Sequence, residues 1–232
     1  SYLVHKNNLM AMQIIHIPHL VSTFLKLEIH LQDMQLENHG LVMHNIVTIE
    51  YTNHYSNYNK AKSWSAISLR GYKNDYRFIT KPVEMNKKWQ KENENEVFEM
   101  QDTDWRKKFP LVEKILDVFE TEIHRVRFMK LKPGGGELER HTDQVDPDVG
   151  IQDGKLMRIH IPIKTNPNVE FTSWSTTGSK VIVNMEEGHC WYLDIRKPHM
   201  AINNGNDWRT HLVIDVVANE QVRSLFNADA HR

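Results

Sequence analysis

His141-Thr142-Asp143, then His199 fifty-eight residues later and Arg209 ten residues beyond it, are the residues of this 232-residue chain whose types and order could do chemistry. Two imidazoles and one carboxylate form the facial ligand set that binds Fe(II) and leaves positions open for substrates and O2. A His-x-Asp pair at a strand or strand end puts both side chains on one face, within reach of one metal. An arginine on the next strand could grip the distal carboxylate of a 2-oxo acid with its planar fork. Singly these residues say little. His-x-Asp alone reads as a solvated pair after Glu137-Leu138-Glu139-Arg140, and Arg209 alone as an ion pair with Asp207 or Asp215. The ordered set is far more specific than its parts.

The elements that must position these residues are short strands. From residue 123 onward, alternating segments at 124–132, 137–143, 156–165, 168–174, 179–184, 189–195, 198–203 and 208–217 are separated by turn signals. Those signals are Pro133-Gly134-Gly135-Gly136, Asp153-Gly154, Thr177-Gly178, Glu187-Gly188 and Asn204-Gly205. Such spacing predicts an antiparallel sandwich or barrel, a jelly roll. Asn204-Gly205 predicts a hairpin that folds Arg209 back beside His199. In Leu156 to Lys164, Met157, Ile159, Ile161 and Ile163 share one face while Arg158 and His160 share the other. That pattern fits a barrel strand with a polar site inside, or an amphipathic edge strand, and Pro162 favours an edge or a bulge.

Upstream, helical spacing covers 18–36, strands are expected at 45–51 and 63–70, and Pro110 opens a helix carrying Leu111, Val112, Ile115, Leu116 and Phe119. A final helix is expected at about 219–227. Residues 84–104, rich in Asn, Glu and Lys, read as a mobile lid or as a surface excursion packed through its tryptophans. The whole reads as one domain, mainly β with flanking helices. Residues 1–122 form its mixed support, 123–217 its core and 218–232 a helix and tail.

Composition narrows the classes. A formal net charge of −1 gives no field for nucleic acid or an acidic membrane surface. No apolar run approaches a membrane span of about 20 residues. One cysteine, Cys190, allows no intrachain disulfide and reads as a buried structural thiol. Ser1 to Lys6 does not open like a secretory leader. The expectation is a cytoplasmic protein with a small-molecule or peptide substrate, with no nucleic-acid or membrane partner. Its oligomeric state is not set by the sequence.

The segments Val126 to Gly135, His141-Thr142-Asp143, Met157 to Pro162, Gly188 to Leu193, Pro198-His199 with Asn203-Asn204-Gly205, and Arg209 to Asp215 together resemble the aspartyl/asparaginyl β-hydroxylase family of Fe(II)/2-oxoglutarate oxygenases. Trp64 to Leu69 with Gly71-Tyr72 is similar to that family's upstream strand. The resemblance spans roughly residues 60–217. It implies a cupin-like double-stranded β-helix, with iron on His141, Asp143 and His199 and the distal carboxylate of 2-oxoglutarate on Arg209. It also implies His160 near the co-substrate carboxylate at the metal, and Arg158 toward the substrate. Asp143 makes the chain similar to the bacterial small-molecule branch, which includes cis-proline hydroxylases, because the animal members lack that carboxylate. The implied activity is a dioxygenase that uses O2 to hydroxylate an unactivated C–H of an amino acid or peptidyl residue, releasing succinate and CO2. A non-catalytic cupin-like binding or sensor protein is the alternative, as is a cupin isomerase or hydrolase using another metal.

Overall fold

The computed structural model describes residues 12–15, 26, 50–56, 58–143, 155–175 and 177–227. All of the expected helix at 18–36 but residue 26, most of the expected strand at 45–51 and the Asp153-Gly154 turn lie outside the described residues. In chain order the strands are β1 (Met12–Ile15), β2 (Thr52–Asn53), β3 (Trp64–Gly71), β4 (Gln101–Asp102), β5 (Ile123–Leu131) and β6 (Gly136–His141). They continue as β7 (Leu156–Lys164), β8 (Val169–Trp174), β9 (Lys180–Val183), β10 (Cys190–Leu193), β11 (His199–Asn203) and β12 (Arg209–Val217). Among the described residues they are accompanied by the α-helices α1 (Lys87–Glu92), α2 (Pro110–Leu116) and α3 (Glu220–Asn227).

Two antiparallel sheets result. The larger runs β1-β10-β7-β12-β5-β3-β2, with β4 added to β3, and the smaller runs β6-β11-β8-β9. Facing each other, they make the jelly roll expected from the strand spacing. The first half of the chain does more than support this core, because β1 to β4 are strands of the larger sheet itself.

Alternation along each strand builds two separate cores. On the outer face of the larger sheet, Ile67, Phe128, Ile159, Ile161, Leu212 and Ile214 pack under Val112, Ile115 and Leu116 of α2 and Val222 of α3. Pro110 starts α2 where a missing N–H costs nothing. The helix ends at Leu116, earlier than its apolar stripe suggests, although Phe119 beyond it is still buried in the same cluster. Each such fully buried side chain contributes ~1.5–3 kcal/mol. Between the sheets, Trp64, Ala66, Met129, Leu131, Val213, Trp191 and Leu193 meet Phe171 and Ala201, with Leu138 packed alongside.

Strand β7 shows how the fold makes a polar interior. It lies between β10 and β12, so it is not an edge strand. Its Met157, Ile159, Ile161 and Ile163 face the outer core, and Arg158 and His160 therefore face inward, both buried. Pro162 is accommodated at a register shift, where β12 slips between Thr210 and His211.

One expectation is corrected, and between the two readings of residues 84–104 the packing favours one. Asn204-Gly205 does not make a hairpin between β11 and β12, because those strands belong to different sheets. The fully buried Asn203 side chain donates to the Leu131 and Asp207 carbonyls and accepts from the Gly205 amide, and this turn carries the chain from one sheet to the other. Residues 84–104 are a packed excursion. Asn86 caps α1 by accepting from the Trp89 amide, and Trp89 and Phe98 stack with Phe78 in a three-ring cluster at 5.5–5.9 Å between centroids. Among the described residues no helix is long and apolar enough to cross a membrane.

Candidate active site

His141 and His199 stand directly opposite each other on the neighbouring strands β6 and β11. The register shifts by one residue between His199 and Ala201, so Leu138 and His141 share a face despite their odd spacing. That face is the inner one, where Leu138 and Ala201 pack between the sheets. The two imidazole centroids are 4.3 Å apart. Strand β6 ends at His141, and Asp143 follows with its amide donating to the Ile195 carbonyl at 3.1 Å. Asp143 Oδ1 lies 3.9 Å from His141 Nε2. One ligand atom from each of His141, Asp143 and His199 falls within 4.8 Å of the others.

The surroundings prepare these groups as ligands. His141 Nδ1 donates to the Glu139 carbonyl at 2.6 Å, and His199 Nδ1 donates to the Lys197 carbonyl at 2.9 Å. Each bond commits Nδ1 to the proton and leaves Nε2 with its lone pair. Burial, helped by His199, pushes His141 down to about 4, and burial lowers His199 as well, so both rings are neutral. Burial alone would raise the Asp143 carboxyl, but the Arg158 guanidinium beside it holds it well below the usual range. Two neutral imidazoles and an ionised carboxylate suit a divalent first-row metal such as Fe(II). Tyr58 stacks on His141 and Phe171 on His199. A cavity of about 480 Å³ opens beside His141, lined by Tyr55, Ser56, Tyr58, Glu84, Asn86 and Thr142.

Arg209 enters the same interior from β12 in the opposite sheet, beside the inward-facing Leu131. It is 4% exposed, and among the described residues no carboxylate pairs with it, neither Asp207 nor Asp215. Burial pushes its guanidinium down to about 9. Its NH2 donates to His211 Nδ1 at 2.9 Å, while its Nε has no partner. Because Arg209 donates, His211 Nδ1 accepts, and the 3.2 Å contact from His160 Nδ1 must bring its own proton. His211 Nε2 is then a buried N–H without a partner. A buried cation and a buried donor, both lacking an acceptor, fit an incoming dicarboxylate.

Arg158 lies against the metal end. Its NH1 donates to Asp143 Oδ2, and its Nε and NH2 donate to Asp215 at 2.6 and 3.1 Å. Asp215 also accepts from Arg125 at 3.0 Å and Arg127 at 3.2 Å. The ion pair that sequence alone offered to Arg209 thus belongs to three other arginines.

The structure brings His141, Asp143 and His199 together and connects Arg209 to His160 through His211. It sets Arg158 on Asp143. Sequence reasoning missed Tyr58, Arg125, Arg127, His211 and Asp215 as parts of this site. For Arg125 and Arg127 a signal existed, the same inward alternation with Met129 and Leu131 that exposed Arg158 and His160.

Among solved structures, the chain is similar to a prolyl hydroxylase from Trichoplax adhaerens in complex with a hypoxia inducible factor oxygen degradation domain peptide. That match has 10% identity and a TM-score of 0.49, over 92% of this chain and 86% of that one. A prolyl-4-hydroxylase from Pseudomonas putida shares 12% identity over 90% and 91% of the two chains, with a TM-score of 0.47. A 2OG-Fe(II) oxygenase family oxidoreductase from Burkholderia pseudomallei shares 10% identity over 82% and 77%, with a TM-score of 0.46. No curated protein matches the sequence. The family model described as Aspartyl/Asparaginyl beta-hydroxylase matches residues 30–219. With that match over most of its length, the chain belongs to the aspartyl/asparaginyl β-hydroxylase family of Fe(II)- and 2-oxoglutarate-dependent oxygenases.

Proposed function

We propose that this enzyme hydroxylates an unactivated C–H of a carboxylate-bearing amino acid or peptidyl residue, converting 2-oxoglutarate and O2 to succinate and CO2. The observation that carries this reading is the pairing of two prepared imidazoles and Asp143 with a buried Arg209 that has no counter-charge among the described residues. His141, Asp143 and His199 hold the iron. When bound, Fe(II) supplies O2 activation coupled to decarboxylation of the oxo acid. Arg209, with His211 beside it, grips the distal carboxylate, and His160 sits toward the carboxylate near the metal. An oxo acid held at both ends would lie along the inside of β12 and β7 and would leave the cavity beside Tyr58 and His141 for substrate.

The charge of this chamber supports an anionic substrate group. Among the described residues, Arg125, Arg127 and Arg158 stand against Asp143 and Asp215, three buried cations on two carboxylates. Arg127, buried beside Arg125, is pushed down to about 9, and its Nε has no partner. Unbalanced buried charge is unfavourable by several kcal/mol per ion, and a substrate carboxylate relieves it. The lone buried cysteine suits a reducing compartment such as the cytoplasm.

A turnover screen over amino acids and short peptides tests the proposal. Expected are succinate formation dependent on Fe(II) and O2 and a substrate mass gain of one oxygen. Tight metal binding with no succinate from any acidic or neutral substrate would overturn it.

A further inference from the structure

The family resemblance implies a substrate contact for Arg158, but the geometry points to a different task. We propose that Arg158 is a positioning residue for the metal's carboxylate ligand, and that Asp215, braced by Arg125 and Arg127, sets its orientation. The inference rests on the metal site proposed above.

A guanidinium is planar and rigid, so fixing one edge fixes the direction of the remaining N–H groups. One edge of Arg158, Nε and NH2, sits on Asp215. The third nitrogen, NH1, meets Asp143 Oδ2. Asp215 is 1% exposed and cannot swing away, because Arg125 and Arg127 reach it from β5 across the β5–β12 pairing. Asp143 therefore has one oxygen held by Arg158, and Oδ1 is left on the side of His141 Nε2. A carboxylate held in this way ligates through a single oxygen. The free rotation of a carboxylate just past the end of β6 is thereby removed.

Cobalt(II) titration of the full-length enzyme, read by affinity and by its d–d absorption, tests this without turnover. Arg158→Gln should weaken Co(II) binding about 10- to 100-fold and shift the spectrum in the direction that Asp143→Asn does. In the Asp143→Asn background, Arg158→Gln should add nothing. Asp215→Asn, which leaves Arg158 present but loosely held, should move affinity and spectrum the same way by less. Arg158→Lys, which can reach only one of the two carboxylates, should fall between wild type and Gln, and it replaces the Gln variant if that one does not fold. Wild-type affinity and spectrum in Arg158→Gln, or effects that add in the Asp143→Asn background, would overturn the proposal. Undiminished Co(II) binding in His199→Ala would instead overturn the metal site on which it rests.

Discussion

The ring of Tyr58 lies flat on that of His141, with centroids 3.9 Å apart and planes 6° from parallel. It covers one face of the imidazole and borders the cavity, so it braces both a proposed ligand and a wall. Such a ring pair is worth ~0.5–1.5 kcal/mol. Tyr58→Ala should therefore weaken metal binding roughly 2- to 10-fold, and Tyr58→Phe should preserve it. Equal metal affinity in wild type and the Ala variant would show that the stack orients nothing.

Removing any ligand removes a full metal bond. His141→Ala, Asp143→Ala and His199→Ala should each abolish turnover and most metal affinity while leaving the circular dichroism spectrum intact. Full activity in Asp143→Ala would mean that the two histidines suffice, as in the animal members of the family.

Arg209→Lys retains a charge but loses the fork. Losing one charge-assisted hydrogen bond of ~1.5–3 kcal/mol corresponds to ~10- to 150-fold in affinity. The expected result is a KM for 2-oxoglutarate raised within that range, with metal affinity unchanged by titration. An unchanged KM would move the clamp to another residue.

Burial, with Arg125 nearby, pushes the Lys81 ammonium down to about 8, and this gives stability a pH dependence. Folding favours the neutral amine. Between about pH 8 and the ordinary lysine value the unfolded chain binds more protons, so stability rises with pH across that window. Lys81→Met lacks the group. The Tm of wild type relative to this variant should therefore climb from about pH 8 to about pH 10, and a constant difference would mean that the amine titrates normally.

The three-ring cluster of Phe78, Trp89 and Phe98 predicts that residues 84–104 resist protease in the free enzyme. Cleavage rates within the segment should be equal with and without 2-oxoglutarate, and Trp89→Ala should raise both. Protection that appears only with ligands would restore the lid.

The eight strands from 123 onward were legible because each alternates and ends at a turn signal. The two-residue strands β2 and β4 carry no periodicity to read. Alternation also gives the face of a residue but not its sheet. That is why the turn after Asn203 read as a hairpin, although its buried amide anchors a crossing between sheets. The proposed ligand set was legible because its residue types are rare in combination. Asp215 was not, since an aspartate in an apolar strand is explained only when three arginines from two other strands converge on it.

His141 and His199 hang from the smaller sheet, while Arg209 hangs from the larger. A co-substrate that chelates the metal at one end and meets Arg209 at the other therefore works as a staple between the two leaves of the fold. Its binding energy resists their separation and not merely the ordering of a loop. At a concentration one hundred times its dissociation constant such a ligand adds ~2.7 kcal/mol to the stability of the whole fold. Amide protection should then rise together in β11 and β12, two strands that share no hydrogen bond with each other.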